Sequence, residues 1–195
     1  MSDAAHDRAK AAELPEGDVI RVLLEQHAHV RELFTAVRTA GSPELKQQSF
    51  DELRALLAMH ETAEEMVLRP KSRQTAGEQV ADARNQEEAE ANEVLAHLER
   101  LDIEDAEFDT QFADFEKSVD HHAEAEEREE FPAILAATDE KERQHMGSVL
   151  QAVEKTAPTH PHPSTAGSTP AQWALGPFAS MVDHARDAVK HLMSA

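Results

Sequence analysis

The sequence predicts an all-α protein, an antiparallel up-down four-helix bundle with extra C-terminal helices. Four long segments repeat apolar residues at spacings of three and four, which places those residues on one face of a helix. The short connections between these segments are typical of antiparallel neighbours in a bundle. Tyrosine is absent and only 4% of the residues are aromatic, so the composition disfavours a sheet protein.

The first half of the chain contains two of the four helices. Residues 1–17 are polar and are expected to form a disordered arm that ends in a turn. Asp18 is a suitable N-cap for a helix over residues 19–40, which a Gly-Ser-Pro sequence ends. A second helix is predicted over residues 43–68, and Pro70 is expected to mark its end.

The second half contains the other two helices of the bundle. The third is predicted over residues 75–101 and is very polar in its first half. The fourth is predicted over residues 105–137, and Pro132 is expected to kink or interrupt it. A shorter helix over residues 140–155 completes a bundle domain that is predicted to span residues 18–155.

Two further segments are predicted after the bundle domain. Residues 156–172 are rich in Pro, Ser and Thr, which predicts an extended or irregular linker. Residues 173–195 contain apolar residues at helical spacing and are predicted to form an amphipathic helix.

The charge of the chain excludes several classes of function. The net charge is −20, so the surface is expected to repel nucleic acids and anionic membranes. No apolar stretch approaches the roughly 18–20 residues that span a bilayer, and the N-terminus is unlike a signal peptide. We therefore expect a soluble, cytoplasmic protein without a nucleic-acid or membrane partner, although a protein partner or oligomer remains open.

The chain has no cysteine and 12 histidines. Without thiols there are no disulfides, no thiolate zinc sites, no iron–sulfur clusters and no cysteine nucleophiles. Any metal or redox chemistry must therefore use imidazole and carboxylate groups.

A His-x3-Glu motif occurs twice, in His60/Glu64 and His122/Glu126. Residues four apart lie on the same face of a helix, so each pair can present a nitrogen and a carboxylate oxygen to one site. Both pairs lie in a longer frame, His-x3-Glu-Glu-x4-Pro, which repeats after 62 residues. The repeat suggests two helix-pair units related by a pseudo-twofold axis.

These His-x3-Glu pairs have more than one possible explanation. A single His-x3-Glu pair is a weak signal in a chain with 39 acidic residues, because it can be a solvated surface pair. Both pairs, however, fall on the apolar face of their helix, where charges are costly unless they are paired or bind a cation. A metal site is therefore favoured, and a buried polar network without metal is the alternative. His27, between apolar residues on the first helix, is a third inward candidate.

The segments around these residues resemble the hemerythrin-like, or HHE cation-binding, family over about residues 18–137. The matching segments are QHAHVRELF (26–34), HETAEE (60–65) and HAEAEEREEFP (122–132). The resemblance implies a four-helix bundle and a cofactor of two iron ions joined by an oxo or hydroxo bridge.

The resemblance also implies a role for each matched residue. His27, His60 and His122 would be terminal ligands of the irons, and Glu64 and Glu126 would bridge them.

The third helix departs from the family pattern. Aligning its apolar residues with the family places Glu88 where a histidine usually stands. Glu88 is then either a carboxylate ligand or a sign that the site lacks a ligand there, and Glu87 or Glu90 could serve if the register is off. An added carboxylate favours ferric over ferrous iron, which predicts a site that reacts with oxidants rather than a reversible oxygen carrier. His184, in the C-terminal segment, could fold back to supply a missing ligand, or it could be a core or interface histidine.

The leading hypothesis is a non-haem di-iron protein that binds or reacts with a small oxidant, namely O2, H2O2 or NO. The alternatives are a non-catalytic metal-binding or sensing module that acts through a protein partner, and a structural polar core without metal. The sequence does not choose among the oxidants, or between an enzyme, a sensor and a store.

Overall fold

The computed structural model describes residues 3–155 of the chain. The predicted linker over residues 156–172, the predicted helix over residues 173–195 and His184 lie outside the described residues. Within residues 3–155 the chain forms helices and short connections, without strands. No helix in that range is both long and apolar enough to cross a membrane.

The described residues form eight α-helices and two short π-helical segments. The α-helices are α1 (Ala4–Ala12), α2 (Val19–Thr39), α3 (Pro43–Ala63), α4 (Arg69–Thr75), α5 (Glu78–Leu98), α6 (Ala106–Ala125), α7 (Phe131–Ala137) and α8 (Glu140–Glu154). The first π-helical segment, Glu64–Leu68, joins α3 to α4, and the second, Glu126–Glu130, joins α6 to α7.

The four long helices α2, α3, α5 and α6 form the bundle, which confirms the predicted fold class. Side-chain caps fix two of the helix starts: Asp18 accepts a hydrogen bond from the Ile20 backbone N–H at 3.0 Å, and Ser42 accepts one from the Leu45 N–H at 3.3 Å. Only residues 40–42 separate α2 from α3, and the two helices pack together, so they run antiparallel.

Two apolar clusters fill the core of the bundle. One cluster lies toward the α2–α3 connection and includes Phe34, Phe50 and Phe112. The other includes Leu23 from α2 and residues of α1, α7 and α8. Along α2, His27 falls between residues of the two clusters, so a polar layer crosses the bundle between two apolar ones.

The two prolines of the repeated frame do not end their helices, and the expectation that Pro70 marks a helix end is wrong. The chain passes through the π-helical segment Glu64–Leu68 and continues as α4 to Thr75. Proline lacks an N–H and its ring crowds the carbonyl of the preceding turn. The wider π-helical turn accommodates this proline, and the same arrangement precedes Pro132 at the start of α7.

The expectation of a disordered N-terminal arm is also wrong, because residues Ala4–Ala12 form α1. Asp3 caps this helix by accepting a hydrogen bond from the His6 N–H at 2.8 Å. Ala11 is buried in an apolar cluster, and the buried Asp7 carboxylate pairs with Arg31 of α2. An apolar contact and ion pairs of Asp7, Arg8 and Lys10 with the rest of the chain hold this helix in place. The polar composition of the segment does not reveal these contacts.

Helix α8 packs closely on the turn that precedes α2. A Cβ atom added at Gly147 would overlap the backbone carbonyl of Gly17 and lie 3.1 Å from the Val19 nitrogen. Gly17 itself has a φ of 78°, in the left-handed region that favours glycine. The close approach therefore requires glycine at position 147, and the backbone conformation favours glycine at position 17.

We predict that Gly147→Ala destabilises the protein by about 1–3 kcal/mol, because backbone must move to admit the methyl group. In an unhindered helix the same change would stabilise by roughly 1 kcal/mol. Urea unfolding followed by circular dichroism measures the difference. Gly41→Ala is the matched control, since its Cβ would meet nothing within 4 Å. An increase in the free energy of unfolding of Gly147→Ala would contradict the close packing of α8.

Candidate metal centre

The polar layer of the bundle contains a first group of four possible metal ligands. His27 of α2, His60 of α3, and Glu64 and Glu126 of the two π-helical segments each direct one ligand atom inward, and these atoms lie within 4.8 Å of one another. The His60 Nε2 atom is 3.4 Å from Glu64 Oε2, and His27 Nε2 is 3.4 Å from Glu126 Oε2. All four side chains are buried.

A second group shares two of these residues. It consists of Glu64, Glu88, His122 and Glu126, again with ligand atoms within 4.8 Å of one another. His122 Nε2 is 3.4 Å from Glu126 Oε1 and 3.9 Å from Glu88 Oε1. Glu64 and Glu126 therefore lie between the two groups, where each could contact two cations.

The two groups follow the repeat in the sequence. The first helix pair supplies His27, His60 and Glu64, and the second pair supplies Glu88, His122 and Glu126. Each group adds the glutamate of the opposite pair. The pseudo-twofold relation predicted from the repeated frame thus describes the arrangement of these side chains.

The π-helical segments position the shared glutamates. Glu64 and Glu126 are the first residues of their segments, immediately after α3 and α6, and both are fully buried. Single π-helical turns within α-helices occur frequently at functional sites. Here the same local structure appears twice and places both carboxylates at the centre of the bundle.

Each histidine of the two groups is oriented by a partner on its outer nitrogen. The Nδ1 atom of His27 lies 3.2 Å from Glu127, that of His60 lies 2.7 Å from Gln26, and that of His122 lies 2.9 Å from Glu87. Such outer contacts fix the ring orientation and the tautomer of metal-binding histidines. They leave the Nε2 atoms to face the centre.

Several inward atoms of the two groups make no hydrogen bond within residues 3–155. They are His27 Nε2, His122 Nε2, both carboxylate oxygens of Glu64 and Glu126 Oε2. Buried polar atoms without partners are rare and costly. Nitrogen and carboxylate oxygen donors that converge in this way fit the ligand preferences of iron and related metals. The residues present therefore fit a pair of metal cations.

Burial and mutual charge perturb the titration of the cluster. Burial lowers the pKa of His60 to about 3, so its ring is neutral and able to bind a metal. Burial and the neighbouring Glu126 charge raise the pKa of Glu64 well above its ordinary value. Burial alone would lower the pKa of His122, but its contacts with Glu126 and Glu87 raise it well above the ordinary value. The pKa values of the cluster are thus set by burial and by the charges of its neighbouring members.

A buried arginine adjoins the second group. The Arg69 side chain is only 2% exposed and comes from the start of α4. Its Nη2 atom pairs with Glu88 and lies 3.1 Å from Glu126 Oε1, while its Nη1 atom lies 2.5 Å from Glu130 Oε2. The cluster thus contains one permanent positive charge among its carboxylates.

A cavity of about 420 Å³ leads to the polar layer. Its walls include His60 and His122, together with apolar Val30, Leu57 and Phe115. Exposed residues of α6 also line it, so the cavity connects the surface with both groups. Its size suits a small molecule.

The structure brings together six of the seven residues that the sequence singled out as ligands. They are His27, His60, Glu64, Glu88, His122 and Glu126. His184 lies outside the described residues. Of the alternatives to Glu88, Glu87 instead contacts the outer nitrogen of His122, and Glu90 is exposed. Whether the six bind metal stays a prediction.

Sequence reasoning did not identify Arg69, Gln26 or Glu130 as parts of the site. Arg69 immediately precedes Pro70, at a position where the second copy of the frame has Phe131. A comparison of the two copies, position by position, would have marked this difference. Gln26 gave no such signal, because its role depends on the packing of α2 against α3.

The chain is similar to known proteins over the same region. A family model described as the hemerythrin HHE cation binding domain matches residues 18–134. An uncharacterised hemerythrin-like protein of Schizosaccharomyces pombe is 29% identical over 134 residues, which cover 67% of this chain and 66% of that protein. The chain thus spans slightly under two thirds of the length of this relative. No solved structure matches the present chain.

We predict that His60→Ala lowers the metal content of the purified protein by about one ion per chain, because the first group loses a ligand. The melting temperature of the metal-loaded protein should also fall, since metal binding is coupled to folding. Elemental analysis and thermal unfolding measure the two effects. His29→Ala is the control, since the His29 side chain is 45% exposed and belongs to neither group. Equal metal content in all three proteins would remove His60 from the ligands.

Proposed function

The chain belongs to the hemerythrin HHE cation-binding family, and on that basis we propose that its two ligand groups bind a pair of iron ions. We further propose that the iron-loaded protein binds or reacts with a small oxidant, namely O2, H2O2 or NO. The observation that carries this proposal is the position of Glu64 and Glu126, whose buried and incompletely hydrogen-bonded carboxylates belong to both groups.

The donor set supports iron. Within the two groups the ligands are imidazole nitrogens and carboxylate oxygens, a mixture that suits iron, and the chain has no thiolates. Glu88 adds a third carboxylate to the second group. Its negative charge stabilises the ferric state, which supports reaction with an oxidant over reversible oxygen carriage.

Each part of the site has a role in this proposal. The histidine Nε2 atoms and the shared carboxylates bind the metal pair, and Gln26, Glu87 and Glu127 orient the rings through their outer nitrogens. In the ferrous state the two bound irons would supply one electron each to reduce O2 or H2O2, and both would become ferric. The apolar residues of the cavity wall, Val30, Leu57 and Phe115, would favour the approach of small, uncharged molecules to the site.

The experiment that tests the function is an optical titration of protein with quantified iron. We expect about two irons per chain and a near-ultraviolet absorption band of the ferric pair. The band should change on addition of H2O2 to the ferric protein, or of O2 or NO to the anaerobically reduced protein.

Zinc-loaded protein is the control for oxidant reactivity, since zinc binds the same donor types without redox chemistry. Iron that is bound but unresponsive to all three oxidants would favour the non-catalytic metal-binding or sensing module. Less than about 0.5 metal per chain after expression with added iron would contradict the di-iron site itself, because two full sites require about two.

A further inference from the structure

The guanidinium of Arg69 stands among the ligand atoms of the second group. Its Nη2 atom pairs with Glu88, lies 3.1 Å from Glu126 Oε1 and lies 3.8 Å from Glu64 Oε2. These are three of the four members of that group. The nitrogen therefore occupies the kind of position that a bound cation would take.

We propose that Arg69 is a built-in competing cation that makes the two metal positions unequal. The first group, with His27 and His60, binds its metal tightly, and the second group, with Glu88 and His122, binds more weakly and later. This inference rests on the proposed function, because it assumes that both groups bind metal.

The charge of Arg69 cannot be removed by loss of a proton. A guanidinium stays protonated at any pH at which proteins are studied. A divalent cation in the second group must therefore either displace the Nη2 atom or bind close to a like charge, and both reduce its affinity. The first group contacts the Arg69 guanidinium only through the two shared carboxylates, Glu64 and Glu126.

The repeated frame supplies an internal comparison. Arg69 stands five residues after Glu64, and Phe131 stands five residues after Glu126. Phe131 stacks on the ring of His27, with ring centroids 5.7 Å apart and planes 17° apart. The pseudo-twofold axis thus relates an aromatic ring beside the first group to a cation beside the second. The two ligand groups therefore differ in the neighbouring residue, Phe131 or Arg69, as well as in the presence of Glu88 in the second group.

Arg69 also pairs with Glu130, a carboxylate outside the ligand groups. Its Nη1 atom lies 2.5 Å from Glu130 Oε2, and Ser72 donates a hydrogen bond to the other oxygen of Glu130. Glu130 is buried and belongs to neither ligand group. When the Nη2 atom releases Glu88 and Glu126, the guanidinium keeps a carboxylate partner. Its displacement is therefore less costly than the exposure of an unpaired buried charge.

We therefore expect the two metal ions to bind in separate steps. Protein with metal only in the first group should be a stable species over a range of metal concentrations. The pair is then completed when the second ion displaces Arg69 from Glu88 and Glu126.

The test is an anaerobic titration of metal-free protein with Fe(II), followed by calorimetry, and with Co(II), followed by visible absorption. We expect two binding steps in the wild type, with dissociation constants at least about tenfold apart. The charge-balanced double variant Arg69→Met/Glu130→Gln should tighten the second step at least about tenfold and tighten the first step less, because Arg69 contacts two members of the first group and three of the second.

The control double variant is Arg143→Met/Asp18→Asn, which removes a partly buried ion pair of 2.6 Å at the start of α2. It should bind as the wild type does, since Asp18 and Arg143 belong to neither group. A second step that is no tighter in the Arg69 variant than in the wild type would overturn the inference.

The order of filling is tested without any change at Arg69. His60→Ala should remove the tight step and His122→Ala the weak one. Two equal steps in the wild type, or the reverse assignment, would overturn the inference while leaving the metal pair of the proposed function intact. Absence of any Fe(II) or Co(II) binding to the wild type would instead overturn the proposed function, and this inference with it.

Discussion

The burial of Glu64 and Glu126 between the two helix pairs is the constraint on which the rest of the structure depends. Both carboxylates are inaccessible to solvent, and three of their four oxygens make no hydrogen bond within the described residues. Such burial is unfavourable unless a positive charge is nearby. The Arg69 guanidinium partly supplies this charge, and a metal pair would supply the remainder.

The fold holds the two carboxylates in place from several directions. Apolar clusters lie on either side of the polar layer and pack the helices around it. The π-helical segments at Glu64–Leu68 and Glu126–Glu130 turn one carboxylate of each helix pair toward the centre without ending the helices. Helix α1 adds Lys10, whose ammonium lies 2.8 Å from Glu127, the outer partner of His27. Even this peripheral helix therefore contacts the surroundings of the site.

The parts that the sequence predicts are those with a periodic or repeated signal. The apolar face of each long helix identified the bundle, and the repeated frame identified His60, Glu64, His122 and Glu126. Glu88 required the family alignment, because an acidic residue in an acidic segment is not distinctive. Arg69 and α1 were missed because their burial depends on ion pairs between distant segments, which local pattern cannot show. The continuation of the second helix past Pro70 was missed because a π-helical turn has no simple residue signature.

The most direct measurement is anomalous diffraction at the iron absorption edge from crystals of the iron-loaded protein. If Glu64 and Glu126 each bind both irons, the map should show two peaks about 3.5–4 Å apart. One peak should lie beside His60 and the other beside His122, and each should contact both glutamates. A single peak, or two peaks with Glu64 and Glu126 bound to separate ions, would contradict shared coordination.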